Sequence, residues 1–203
     1  ASRGGAHRSV RSYNNHVGVP LSLARLPARA RFGVFEMGMN HQGEIAPLAD
    51  HVRPGVALIT TIAPAHIENL GSIEAIADEK EQIFTGLTKG GTAIIPADLP
   101  ETPRLIEHAA KLGVTIVTFG RSAEADVRLL DAIPNPNGGS LVTAELGEQR
   151  VCFTIAEPGE HWITNALGVM AAVRAAGGDL ASAGLALAEM GGLKGRGQRH
   201  QVA

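Results

Sequence analysis

The sequence is poor in cysteine and in aromatic residues. Its 203 residues include one cysteine, Cys152, which excludes an internal disulfide and any metal site built from several cysteines. Aromatic side chains make up 3% of the chain, too few for the stacking surfaces that bind single-stranded nucleic acid. No apolar run approaches the roughly 20 residues of a membrane-spanning helix, and no secretory leader opens the sequence. We therefore expect a cytoplasmic protein without membrane insertion.

The charged residues are unevenly distributed along the chain. Residues 1–31 contain six arginines and no acid, and residues 191–203 add three basic side chains, again without an acid. The stretch between them holds nine of the 18 basic residues and all 20 acidic ones. Such basic ends could bind an anionic ligand or nucleic acid, or they could simply be exposed to solvent. The charge distribution alone does not distinguish these interpretations.

Short apolar runs alternate with helical stretches over the first 120 residues. Runs rich in Val, Ile and Phe predict strands, and longer stretches bounded by Gly, Pro or Ser predict helices. The predicted strands are residues 32–37, 56–62, 92–96 and 114–119. The predicted helices are residues 20–26, 43–52, 72–84 and 101–112. This alternation is typical of a parallel sheet with helices on both faces, where ligands bind beyond the carboxyl ends of the strands.

The pattern changes after Gly120. Short strands separated by turns rich in Gly, Pro and Asn predict a small antiparallel β unit at about 124–157. Its strands are residues 126–133, 140–146 and 151–155. Helices are predicted at 165–176 and 180–190, and residues 195–203 form an exit segment. The fold class is therefore α/β, a mainly parallel sheet flanked by helices, with this antiparallel β unit.

Two side chains follow neighbouring predicted strands. Glu36 lies near the end of the strand at 32–37, and His66 lies in the loop after the strand at 56–62. If both strands belong to one sheet, a carboxylate and an imidazole meet at one edge and can bind Mg²⁺ or Mn²⁺ with water. Such residues are also common in loops without a metal, so both interpretations stay open.

Lys80 lies on a predicted helix beside three acids, Asp78, Glu79 and Glu81. A solvated, charged helix face explains this run. However, three carboxylates exceed what one ammonium group neutralises, so the run on its own leaves their purpose open.

Six motifs in order along the chain resemble the middle domain of the Mur ligases, the ATP-dependent amide-forming enzymes of peptidoglycan precursor synthesis. Each motif alone is weak, whereas their shared order and spacing are specific. They are Asn-Asn-x-x-Gly-Val-Pro at 14–20, Glu-x-Gly-x-Asn-His-x-Gly-Glu-Ile at 36–45, Ala-His-x-Glu-x-x-Gly-Ser at 65–72, Lys-x-x-Ile-Phe at 80–84, Pro-Gly-x-His-x-x-x-Asn-Ala at 158–166, and Gly-Arg at 195–196.

The resemblance implies a reaction and its partners. The best-fitting member type adds D-alanyl-D-alanine to UDP-N-acetylmuramoyl-tripeptide through an acyl phosphate, using ATP, as a cytoplasmic monomer that binds no nucleic acid. It also implies a middle, ATP-binding domain at residues 1–194. Asn14 and Asn15 would face the UDP-muramoyl-peptide, Asn165 the adenine, and Arg196 the phosphates or ribose of ATP.

The resemblance also implies two Mg²⁺ ions. Glu36 would help to hold the ion between the ATP phosphates, and His66 would bind the second. Lys80 would be carbamylated, because CO₂ added to its amine makes a carboxylate-like metal ligand. This step needs an unprotonated amine, so the surroundings must lower the lysine pKa.

The sequence departs from the family in two respects. No Gly-x-x-Gly-Lys-Thr phosphate loop occurs here, and we expect that loop before Ala1 and further domains on both sides, so this chain alone should not ligate. Trp162 stands where many members have an asparagine, and it packs either on the nucleotide or in the core.

Three alternative functions stay open. They are another Mur-type ligase or a cyanophycin or folylpolyglutamate synthetase relative with a different amine, a non-catalytic binding domain of the same fold, and a nucleic-acid-binding protein.

Overall fold

A computed structural model describes residues 5–9, 12–64, 67–136 and 138–190 of the chain. Helices and strands alternate along the described residues. The helices are α1 (Gly18–Ala24), α2 (Ile45–Val52), α3 (Ile67–Leu70), α4 (Ile73–Glu81), α5 (Thr102–Lys111), α6 (Glu160–Ala175) and α7 (Leu180–Glu189). The strands are β1 (Ala6–Arg8), β2 (Phe32–Val34), β3 (Val56–Leu58), β4 (Thr92–Pro96), β5 (Thr115–Gly120), β6 (Val127–Pro134), β7 (Ser140–Leu146) and β8 (Gln149–Ile155).

The chain divides into two structural units within this alternation. The first unit comprises Ala1–Ala93 and Pro103–Thr115, and the second comprises Ile94–Thr102 and Ile116–Ala203. Strand β4 begins in the first unit and ends in the second. The bounds of the predicted ATP-binding domain, residues 1–194, remain a prediction, and residues 195–203 lie outside the described residues.

The first unit contains a short parallel sheet of β1 and β2. Ala6 pairs with Phe32, and Arg8 pairs with Val34. The prediction that residues 32–37 form a strand of the main sheet is wrong, because β2 ends at Val34 and lies in a separate two-stranded sheet. Sequence patterning missed β1, since its three residues contain one apolar side chain and carry no strand periodicity.

The core of the first unit lies between α2, α4, α5 and the 3₁₀ helix Gln82–Gly86 that continues α4. Gly86 packs directly on the backbone of Ala49 in α2, where any Cβ would collide. Ser72 begins α4, with its hydroxyl oxygen accepting a hydrogen bond from the Ala75 N–H at 3.1 Å. The side chains that fill this core are Val19, Ile45, Leu48, Ala49, Ile76, Ala77, Phe84, Leu105 and Ala109.

The predicted helix at 72–84 is thus divided between α4 and the 3₁₀ turn. Lys80 consequently lies in the last turn of α4, one residue before its end. Strand β3 is also shorter than the predicted 56–62 and leaves residues 59–64 as extended loop. That loop lies at the carboxyl end of β3, where the α/β architecture places ligand-binding residues.

The second unit is a mixed sheet covered by α6 and α7. Its strand order is β4-β5-β6-β7-β8. Strand β5 runs parallel to β6, whereas β6 pairs antiparallel with β7, and β7 pairs antiparallel with β8. Along β7 every second residue is buried, the period of a strand with one face on the core. The predicted α/β class and its small antiparallel β unit are confirmed.

Helix α6 begins earlier than predicted. It starts at Glu160 rather than at Asn165, directly after Gly159, whose φ of 122° turns the chain from the β unit into the helix. Its buried face carries Ile163, Leu167 and Met170. Among the described residues, no helix has the length and apolarity needed to span a bilayer.

Candidate functional site

Lys80 lies at a small cavity in the first unit. The cavity has a volume of about 100 Å³, and it is bounded mostly by apolar side chains. Lys80 is half-buried, and its Nζ donates a hydrogen bond to the carbonyl oxygen of Thr61 at 2.6 Å. The residues that line the cavity are Met37, Ile45, Leu58, Ile59, Thr60, Lys80 and Ile83.

This environment changes the acidity of the lysine. Burial lowers the pKa of Lys80 below its ordinary value, because the apolar surroundings disfavour the charged ammonium. The neutral amine, the form that reacts with CO₂, is therefore more populated than in an exposed lysine.

Glu36 lies two residues beyond β2, on the segment that leads to the cavity. Its neighbour Met37 lines the cavity together with Lys80. The exposed Glu36 carboxylate accepts a hydrogen bond through Oε1 from Asn14 Nδ2 at 3.1 Å. Gly38 permits this arrangement, because its N–H donates to the Asn14 carbonyl oxygen at 2.8 Å and a Cβ there would lie 2.6 Å from Asn14 Nδ2. Asn14 therefore orients Glu36.

Asn15 contributes to local structure. Its Oδ1 accepts hydrogen bonds from the N–H groups of Val17 and Gly18, at 3.2 and 2.9 Å, at the start of α1. Asn15 is exposed, and Asn14 is half-buried. The predicted contact of both residues with the UDP-muramoyl-peptide remains a prediction.

The loop after Glu36 is ordered by a second carboxylate. Glu44 accepts hydrogen bonds through Oε2 from the N–H groups of Asn40, at 2.6 Å, and His41, at 3.2 Å. These backbone donors, Asn40 first, lower the pKa of the Glu44 carboxyl. His41 Nδ1 lies 3.4 Å from Glu44 Oε1, so this histidine belongs to the turn.

The three acids beside Lys80 have partners other than Lys80. Asp78 forms an ion pair with Arg104 of α5. Glu81 lies 3.2 Å from His108 Nδ1 and 3.4 Å from Arg104 Nη2, also in the first unit. Glu79 accepts two backbone N–H groups, one from Gly43 in the loop before α2 and one from Ile45, the first residue of α2. The acidic run thus joins α4 to its neighbouring helices, and the excess of carboxylates around Lys80 is explained by these contacts.

Three further site residues were predicted: Asn165, His66 and Arg196. Asn165 is half-buried on α6 of the second unit, one turn after Trp162. Trp162 is also half-buried, and its ring lies 5.4 Å from the His161 ring, centroid to centroid. His66 and Arg196 lie outside the described residues, so their predicted roles remain predictions.

The donor set fits a hard cation. Glu36 presents an exposed carboxylate, and a carbamate on Lys80 would add a second oxygen donor, the ligand type that Mg²⁺ prefers. Residues 5–9, 12–64, 67–136 and 138–190 contain no group of three or more His, Cys, Asp or Glu side chains arranged around a metal. A site at Glu36 would therefore depend on the modified lysine and on His66.

The model of the Mur ligase middle domain matches residues 1–173. The chain belongs to the Mur ligase family. A UDP-N-acetylmuramoyl-tripeptide–D-alanyl-D-alanine ligase from Haemophilus influenzae is 34% identical over 185 residues, which cover 91% of this chain and 39% of that protein. The chain thus spans about two fifths of the length of this curated relative.

Solved structures that are similar to this chain include Mur ligases. MurF from Acinetobacter baumannii superposes with a TM-score of 0.91 at 28% identity, over 99% of this Mur ligase chain and 43% of that one. A MurF ligase from Thermotoga maritima in complex with ADP has a TM-score of 0.80 at 21% identity, over 96% and 44% of the two chains. The second similarity concerns the fold alone.

Two features of this Mur ligase site escaped sequence reasoning. The carbonyl oxygen of Thr61, which accepts from Lys80, is a backbone group and has no signature in the sequence. The hydrogen bonds from Gly43 and Ile45 to Glu79 join residues that are 36 and 34 positions apart. The excess of acids around Lys80 indicated that these acids have other partners, but the sequence did not identify those partners.

Proposed function

We propose that this chain is the ATP-binding middle domain, residues 1–194, of a ligase that joins D-alanyl-D-alanine to UDP-N-acetylmuramoyl-tripeptide in peptidoglycan precursor synthesis. One observation carries the proposal. The half-buried amine of Lys80, with its lowered pKa, lines one cavity with Met37, the residue that follows Glu36. The similarity to the H. influenzae ligase over 91% of the chain supports these two substrates.

The reaction has two balanced steps. The tripeptide carboxylate attacks the γ-phosphorus of ATP, forming an acyl phosphate and releasing ADP. The amine of D-alanyl-D-alanine then attacks the acyl carbon, loses a proton and expels inorganic phosphate. The protein contributes mainly by holding the reactants in line and by stabilising charge on the transferred phosphoryl group.

Two Mg²⁺ ions would be held by Glu36, by His66 and by the carbamate of Lys80. The carbamate forms when neutral Nζ attacks CO₂ and releases a proton, which requires the lowered pKa of Lys80. Bound Mg²⁺ would neutralise the developing charge on the phosphoryl oxygens. Asn14 Nδ2, by its hydrogen bond to Glu36 Oε1, would restrict the orientation of that carboxylate.

The remaining contacts follow from the family motifs. Asn165 would contact the adenine, and Arg196 would contact the phosphates or the ribose. The ADP bound to the T. maritima relative supports an adenine nucleotide as the ligand of this fold. Asn14 and Asn15 would face the UDP-muramoyl-peptide. We propose a cytoplasmic, monomeric enzyme that binds no nucleic acid.

The choice of amine gives a direct test. The natural protein that carries this chain is incubated with ATP, Mg²⁺ and UDP-N-acetylmuramoyl-tripeptide, and phosphate release is measured with D-alanyl-D-alanine, meso-diaminopimelate or L-lysine. We expect kcat/KM for D-alanyl-D-alanine to exceed the other two by about 100-fold or more, as for a site that pairs polar groups of its own substrate.

The 203-residue chain alone is the matched negative control, since we propose that it does not ligate. Equal or higher turnover with meso-diaminopimelate or L-lysine would contradict the proposed amine and leave a ligase of different specificity. Absence of turnover with all three amines would instead favour a non-catalytic binding domain.

A further inference from the structure

Glu79 is a buried acid directly before Lys80. Its side chain is 4% exposed, and its carboxylate accepts two short hydrogen bonds, from the Gly43 N–H to Oε2 and from the Ile45 N–H to Oε1, each 2.7 Å long. The first N–H groups of a helix have no acceptor within that helix. Glu79, on α4, therefore satisfies the first N–H of α2, that of Ile45, and also the N–H of Gly43 in the loop before α2.

These two hydrogen bonds connect two walls of the Lys80 cavity. Ile45 lines the cavity from α2, whereas Lys80 lines it from α4 and Ile83 from the 3₁₀ helix that continues α4. The loop that precedes Ile45 begins at Glu36 and Met37, and Gly43 within it has a φ of 84°, which disfavours side chains with a Cβ. The carboxylate of Glu79 thus attaches the end of this loop, at Gly43 and Ile45, to α4.

The geometry of α4 separates the tasks of the adjacent residues. Successive helix positions are rotated by about 100°, because an α-helix has 3.6 residues per turn. Glu79 consequently points to α2 while Lys80 donates to the Thr61 carbonyl oxygen at 2.6 Å. The two hydrogen bonds of Glu79 hold one side of α4 against α2 and its preceding loop, and Lys80 leaves the helix from the next position.

We propose that Glu79 is a positioning residue that holds the Glu36–Ile45 segment against α4 and so fixes Lys80 relative to Glu36. This inference rests on the proposed function for the roles of Lys80 and Glu36. It extends that function to a buried residue whose carboxylate binds backbone N–H groups. A purely structural acid would affect stability alone, whereas a positioning residue also affects the chemical step and the response to Mg²⁺.

The test uses Glu79→Gln in the natural protein that carries this chain. The glutamine carbonyl oxygen accepts one N–H, but its NH₂ group faces the other donor, so one of the two hydrogen bonds is lost. Glu79→Ala removes both. We expect faster amide hydrogen exchange at Gly43 or Ile45 in Glu79→Gln and at both in Glu79→Ala.

In Glu79→Gln we expect kcat to fall about 10- to 100-fold, the usual range for groups that orient metal ligands, with a higher Mg²⁺ concentration for half-maximal rate. The KM for D-alanyl-D-alanine should stay within about twofold, because both oxygens of the buried Glu79 carboxylate are engaged by backbone N–H groups. Asp126→Asn is the control for removing a carboxylate charge outside the first unit. Exposed Asp126 accepts the Thr118 N–H and hydroxyl through Oδ2, both at 2.8 Å, in the second unit.

Two results would overturn the inference. One is unchanged exchange at Gly43 and Ile45 in both Glu79 variants. The other is a kcat and a Mg²⁺ response in Glu79→Gln that equal those of Asp126→Asn. If the natural protein does not ligate, the proposed function fails separately. Hydrogen exchange then still decides whether Glu79 fixes the loop on α4.

Discussion

Replacing Lys80 with alanine is expected to lower kcat of the natural protein about a thousandfold or more. This loss corresponds to about 4 kcal/mol of transition-state stabilisation, within the range supplied by metal-held charge. The structural reason is the position of Nζ at the 100 Å³ cavity, held by the Thr61 carbonyl oxygen at 2.6 Å. The measurement is ADP and phosphate release with both substrates saturating.

Lys80→Arg distinguishes the carbamate from a simple positive charge. Arginine keeps the charge but stays protonated, so it cannot add CO₂. We expect Lys80→Arg to lose activity as severely as Lys80→Ala. A ¹³C NMR carbamate signal formed from ¹³CO₂ should be present in the unmodified sequence and absent from both variants.

The pH dependence has a defined sign. Burial lowers the pKa of Lys80, so the neutral, CO₂-reactive amine becomes populated at a lower pH than in an exposed lysine. At a fixed CO₂ pressure, the carbamate signal should therefore grow as the pH rises toward that pKa, and it should fade as the pH falls. Carbamylation that is insensitive to pH would contradict this assignment.

Lys111→Ala is the matched control for the Lys80 variants. Lys111 is exposed, and its Nζ pairs with Glu107 at 2.7 Å within α5, a contact whose loss changes stability by less than about 1 kcal/mol. We expect unchanged kcat in this variant. Full activity in Lys80→Arg would rule out a carbamate as the essential group.

Replacing Glu36 with glutamine is expected to lower kcat/KM about 100-fold and to raise the Mg²⁺ concentration that gives half-maximal rate. Glutamine keeps the shape of the side chain and can still accept the hydrogen bond from Asn14 Nδ2, which in the structure is 3.1 Å long. The change therefore removes the negative charge with little change in structure. A steady-state Mg²⁺ titration measures both quantities.

Glu148→Gln is the control for Glu36→Gln, because Glu148 is an exposed carboxylate in the turn between β7 and β8. We expect its Mg²⁺ titration to match that of the unmodified sequence. An identical titration for Glu36→Gln would exclude Glu36 from the metal site. The proposed cation site would then have to rest on Lys80 and His66.

The fold was predictable where periodicity is strong. The predicted ranges of β4, β5, β7, α5 and α7 agree with the structure to within about a residue at each end. Continuous or alternating apolar residues mark the strands, and Gly113 and Gly177-Gly178 bound the helices. The sequence did not predict β1, whose pairing with β2 is a non-local backbone contact. It also overestimated β3, since the apolar residues Ile59 and Ile62 are buried as extended loop rather than as strand.

The site was predictable from residue types but not from geometry. The motif at 36–45 identified Glu36, and the motif at 80–84 identified Lys80. The lowered pKa that the carbamate needs follows from a cavity formed by residues far apart in sequence, which no local pattern contains. The same limit hid the role of Glu79, whose partners Gly43 and Ile45 are brought near only by folding.

Oxygen-isotope transfer tests the proposed ligase most directly. UDP-N-acetylmuramoyl-tripeptide with ¹⁸O in its terminal carboxylate is incubated with the natural protein, ATP, Mg²⁺ and D-alanyl-D-alanine. An acyl phosphate passes one carboxylate oxygen to phosphorus, so mass spectrometry should find one ¹⁸O in each released phosphate and an equal amount of amide product. Phosphate that carries only solvent or ATP oxygen, or ATP consumed without amide product, would contradict the proposed function.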